Sequence, residues 1–128
     1  MFTALVLALI GCTGDVSRAT VTLGDSVEFS RTDLQGAADA VLAQFGDFEG
    51  CTLLRLTYDE DFSMRQVSLA APPLPEEDQV VVFTSELWVD WTGQSNGMNP
   101  NSTYSDWTWT VRRADASAPW TVTNWGVS

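Results

Sequence analysis

Two cysteines, seventeen acidic residues and no histidine frame the chemistry this chain can carry. A thiol becomes a nucleophile when a neighbouring base or cation lowers its pKa, and histidine is the usual partner. Without one, Cys51 reads as a small buried residue at the start of a strand. The absence of histidine also removes the commonest general base and metal ligand together. Carboxylates remain, and Asp59, Glu60 and Asp61 stand in a row. Calcium loops, however, place ligands at alternate positions over about a dozen residues around an obligate glycine. The run therefore reads as a solvated strand end, and neither a metal nor another cofactor is expected.

Composition narrows the field of partners. The chain has 128 residues, 45% of them hydrophobic, which suits one domain with a real core. Six basic residues, all arginine, face seventeen acidic ones for a net charge of −11. Binding to a phosphate backbone rests on clustered Lys and Arg, so nucleic acid is excluded.

The elements that must position these groups are legible from periodicity. Tyr104 to Arg113 alternates with period two, with Trp107, Trp109 and Val111 on one face and Asp106, Thr108, Thr110 and Arg112 on the other. Trp120 to Val127 answers it across the turn-rich link Ala114 to Pro119, which predicts an antiparallel hairpin holding four of the six tryptophans. Gln79 to Trp91 reads as a long strand with a bend near Thr84 to Glu86 and with Trp88 on the face opposite Phe83 and Leu87. Leu34, Ala37, Ala38, Val41, Leu42 and Phe45 form a helical stripe, started by Ser30 or by a Thr32–Gln35 capping box and stopped at Gly46. Cys51 to Tyr58 predicts a strand with Leu54, Leu56 and Tyr58 on one face. Phe62 to Ala70 fits either helix or strand, and Ala71 to Asp78, with three prolines, predicts a surface loop.

The N-terminus carries a different signal. Met1 to Ile10 is a nearly unbroken apolar run, too short for the roughly 20 residues a bilayer demands but suited to an export signal. Leu9-Ile10-Gly11-Cys12 resembles the lipobox of bacterial lipoproteins. It departs from that pattern in having no Lys or Arg before the apolar run. The resemblance implies that Cys12 is acylated and becomes the new N-terminus, anchoring the chain in the lipid bilayer on the extracytoplasmic face of the cell membrane. Two acyl chains hold a protein stably where one holds it marginally. The expected organisation is a signal peptide at 1–11, a lipidated N-terminus and tether at 12–22, and one α+β domain at 23–128.

Two patterns in that domain, G-C-x-L-x-x-L-x-Y-D-E at Gly50 to Glu60 and Y-x-x-W-x-W at Tyr104 to Trp109, resemble a family of small uncharacterised bacterial lipoproteins. Their domain is similar to the cone-shaped fold of nuclear transport factor two and ketosteroid isomerase, a cystatin-like fold. This implies an α+β architecture in which one main helix packs on a curved antiparallel sheet of about four strands. Members of the wider fold class often hold a pocket between helix and sheet, and some use an Asp and a Tyr there for proton transfer. Tyr58, Asp59, Tyr104 and Asp106 are the matching candidates; a carboxylate pushed into such a pocket has a raised pKa and can act as a base.

Two functions follow. The first is a membrane-anchored binding or interaction module, contacting a small ligand or another envelope protein through Tyr58, Asp59, Trp88, Tyr104, Asp106, Trp107 and Trp109. The second is a small hydrolase or isomerase with Asp106 or Asp59 as base, which requires one of these carboxylates to point into an apolar cavity.

Overall fold

Leu34, Ala37, Ala38, Val41 and Phe45, spaced at helical period, are buried along one side of α1 (Arg31–Phe45). The computed structural model describes residues 14–75, 77–92 and 98–127. The Ser30 side chain accepts from the Asp33 N–H at 3.0 Å while the Asp33 carboxylate accepts from the Ser30 N–H at 3.1 Å. This is a capping box one turn-start earlier than the Thr32–Gln35 pair suggested, with aspartate in the role more often filled by Glu or Gln.

The strands are β1 (Thr20–Thr22), β2 (Cys51–Thr57), β3 (Gln79–Val89), β4 (Ser102–Arg113) and β5 (Thr121–Val127), with a second helix, α2 (Glu60–Ser68), between β2 and β3. They form one sheet in the order β1-β2-β3-β4-β5. β1 runs parallel to β2 and every other neighbouring pair is antiparallel. The expected four-stranded antiparallel cone with one helix is therefore corrected to a five-stranded mixed sheet with two helices among the described residues. A three-residue strand is too short to show alternation, which hid β1. α2 buries only Ser63 fully, so it carries no apolar stripe.

The segment expected as a tether is docked over its described part. The Gly14 N–H donates to the Gly46 carbonyl at 3.1 Å, and Asp15 bridges to Thr52 through Asp15 N–H to Cys51 O at 2.9 Å and Leu53 N–H to Asp15 O at 2.8 Å. A Cβ on residue 14 would lie 1.9 Å from the Phe45 carbonyl oxygen, so only glycine fits against the end of α1.

Three register shifts decide which side chains meet the core. On β2, Leu54 is the extra residue, so Leu53, Leu56 and Tyr58 are buried and Leu54 is not, correcting the expected face. Where a bend was expected in β3, the extra residue lies across the ladder on β4 at Ser105–Asp106, between the Ser85–Trp107 and Leu87–Tyr104 pairs. On β5 it is Thr123, which lets Val122 and Trp125 face the same side.

α2 closes a gap that the sheet leaves. β2 ends at the Thr57–Thr84 pair while β3 continues to Gln79, so the outer edge of β3 loses its neighbour. The buried Ser63 hydroxyl accepts from the Val82 N–H at 2.9 Å, replacing a ladder bond. At that end of β4, Arg113 is 8% exposed, donates to Gln79 at 2.6 Å, pairs with Asp33 at 3.1 Å and lies 4.2 Å over the Trp120 ring. The guanidinium thus ties the start of α1 to the end of the sheet.

Candidate functional site

Trp107 and Trp109 project from β4 onto the same face but end in different surroundings. Trp109 is fully buried, and its indole N–H donates to the Ser85 hydroxyl at 2.9 Å, which in turn donates to the Trp107 carbonyl at 2.9 Å. The single polar side chain in the β3 core row is thus satisfied in both directions. Trp107 is 9% exposed, and its Nε1–H is buried without a hydrogen-bond partner among the described residues. Leaving a buried donor unpaired costs about 1–3 kcal/mol.

Around these rings an aromatic cluster runs out to the surface. Phe48 stacks on Phe45 at 5.4 Å and meets Trp109 at 5.3 Å and Trp125 at 5.7 Å. Trp125 packs against Trp109 at 5.9 Å yet stays 41% exposed. Beside it opens a pocket of about 330 Å³ bordered by Gln44, Asp47, Phe48, Met98, Trp107 and Trp125. Turns after α1 set two of these in place: the Asp47 N–H donates to the Gln44 carbonyl at 3.1 Å and the Phe48 N–H to the Phe45 carbonyl at 2.9 Å. The exposed Asp47 carboxylate accepts from the Gln44 amide through Oδ2 at 3.1 Å. Met98 is held in the wall by its sulfur, 3.8 Å from the buried Cys51 thiol. Three aromatic rings, one carboxylate, one amide and one thioether border the pocket.

The residues expected to act are spread over the molecule. Tyr58 is buried at the far end of β2, and its hydroxyl donates to Glu60 at 3.0 Å. Burial, and then this bond to a carboxylate, push its phenol up to about 12. Asp59 is exposed and caps α2 by accepting from the Phe62 N–H at 3.2 Å. Glu60 accepts from the Ser26 hydroxyl and from the Val27 N–H, which hold its carboxyl below the usual range. Asp106 is exposed in the β4 bulge, and Trp88 lies on the opposite face of the sheet between Thr52 and Thr103. Tyr104 packs edge-on to Trp107 at 5.4 Å, and its hydroxyl accepts from the Asn99 N–H at 2.9 Å. Cys12 lies outside the described residues.

Of the expected set, then, only Tyr104, Trp107 and Trp109 are brought together. Neither Asp59 nor Asp106 points into an apolar cavity, so the geometry that the hydrolase or isomerase reading requires is not formed by either. Phe48, Met98, Trp125, Asp47 and Gln44 were missed as site residues. The signal was present for Phe48: an aromatic two residues beyond a helix-stopping glycine has to pack somewhere.

A second groove of about 520 Å³ lies between Phe29, the end of α2 and the proline loop, bordered by Val67, Leu74, Pro75 and Val80. Trp120 is the other indole with a buried unpartnered Nε1–H among the described residues, but its ring is covered by Arg113 and borders neither opening. Of these two indoles, Trp107 is the one whose ring borders one of the two openings. No helix among the described residues is long and apolar enough to cross a membrane. No family model, curated protein or solved structure matches the chain.

Proposed function

We propose that this chain is a binding module, held on the extracytoplasmic face of the cell membrane through acylated Cys12, that takes a small ligand in the pocket between Phe48, Trp107 and Trp125. The observation that carries the binding reading is the open cavity bordered by the rings of Phe48, Trp107 and Trp125, beside which the indole N–H of Trp107 lies buried without a hydrogen-bond partner among the described residues. The membrane address rests on the likeness of Leu9-Ile10-Gly11-Cys12 to a lipobox.

The docked Gly14 gives the anchor a consequence. Only Thr13 separates Cys12 from Gly14, and two residues reach at most about 7 Å. Gly14 touches Phe45, whose ring stacks on Phe48 in the pocket wall. A lipid on Cys12 therefore holds the pocket end of the domain toward the bilayer, where the exposed ring of Trp125 suits the interfacial region.

Native mass spectrometry of the full-length Cys12→Ser chain tests the binding half. Retained excess mass that Trp125→Ala abolishes supports it, and a bare mass from freshly purified protein that is also unaltered by incubation with cell extract contradicts it. Membrane fractionation tests the anchor: Cys12→Ser releases the protein or leaves uncleaved precursor, and unchanged processing and membrane association overturn the lipid attachment.

A further inference from the structure

We propose that the ligand of this pocket carries a small organic ammonium group, an assignment that rests on the binding reading above. The rings of Phe48, Trp107 and Trp125 border the pocket, and aromatic faces attract cations through their quadrupole, tryptophan most strongly. Met98 adds a polarisable thioether to the same wall. The single carboxylate on the border is Asp47, whose Oδ2 accepts from the Gln44 amide at 3.1 Å. None of the six arginines borders the pocket. An anion would find there no cationic side chain, one carboxylate and a chain of net charge −11. A neutral apolar ligand would leave the carboxylate unused. A compact cation meets every wall.

The volume limits the size. About 330 Å³ lies at the low end of ligand pockets, which gives room for a choline-sized or ethanolamine-sized group within a small molecule.

The probe is choline, with 3,3-dimethyl-1-butanol as its uncharged isostere, titrated into the full-length Cys12→Ser chain and followed by tryptophan fluorescence. The expected result is saturable quenching by choline, at least about tenfold weaker for the isostere, as loss of a cation–π and carboxylate pairing demands. Asp47→Asn keeps the oxygen that accepts from Gln44 and is expected to weaken choline about fivefold; near-UV circular dichroism establishes that the fold is retained. Phosphatidylcholine vesicles distinguish the source of the group. Vesicle binding competed by free choline assigns a lipid headgroup, and choline binding with no vesicle binding assigns a free solute; either supports the ammonium class. Equal affinity for choline and its isostere overturns the ammonium assignment. A neutral ligand retained in the native mass spectrum, lost in Trp125→Ala and not displaced by choline, also overturns it while leaving the binding reading intact. Binding of choline that survives both Trp125→Ala and Asp47→Asn removes this pocket from both.

Discussion

Trp107 and Trp109 are two residues apart on one strand, share a face and differ in everything that follows. The Trp109 end of the core is finished: the ring is enclosed by Phe45, Phe48 and Trp125, and its N–H is answered by Ser85. The Trp107 end is unfinished: its N–H has no partner among the described residues, and the ring borders a cavity that reaches the surface. A core tolerates neither an unpaired donor nor an opening unless something else is gained. The difference teaches that the same aromatic row is closed and satisfied at one end and open at the other, which is where the proposed binding site lies.

Truncation at the finished end gives the largest expected effect. Trp109→Ala removes a fully buried ring and is expected to lose about 3–5 kcal/mol, a large share of the roughly 5–15 kcal/mol that holds a domain folded, read in a urea titration. A loss under 1 kcal/mol would erase the contrast between the two ends. Ser85→Ala is a finer probe of the same region. It strands the Trp109 donor in a dry core and is expected to lower stability by about 1–3 kcal/mol, visible as a shift in urea midpoint at constant slope.

At the unfinished end the signs separate. Trp107→Phe removes a donor that has no partner among the described residues, so its stability change is expected to stay within about 1 kcal/mol while ligand binding weakens. Equal destabilisation by Trp107→Phe and Ser85→Ala would mean that both indole donors are satisfied in solution. The smallest effect is expected far from either end, at Glu60. Its carboxyl is held below the usual range by Ser26 and the Val27 N–H, so the folded state favours the charged form. That contribution is fully present above the unfolded value near 4.5 and fades as pH falls through the lower folded value. Glu60→Gln should therefore reduce stability slightly at pH 7 and converge with the wild type near pH 3 in parallel urea titrations.

How much of this was legible in the sequence depends on the length over which each signal repeats. α1, the β4–β5 hairpin and the inward face of Trp107, Trp109 and Val111 follow from patterns that persist for ten residues or more. β1 has three residues, and its partner lies more than thirty positions away, so no local pattern betrays it. The bulges at Leu54, Ser105–Asp106 and Thr123 are invisible because each depends on a partner strand's register, and each moves side chains between faces. That is why Leu53 took the place expected of Leu54. The pocket shares only Trp107 with the residues expected from the sequence. Its polar half came from a turn after α1 that reads as plain loop until Phe48 folds back and carries Asp47 with it.

The most direct test of the finished and unfinished ends is the indole N–H region of a ¹H–¹⁵N spectrum of the full-length Cys12→Ser chain, recorded through a choline titration. The expected result is that the Trp107 and Trp125 signals shift together and saturably while the Trp109 signal, locked to Ser85, stays in place. Shifts spread evenly over all the tryptophans, or none at Trp107, would contradict the division of the aromatic row into a core and a binding site.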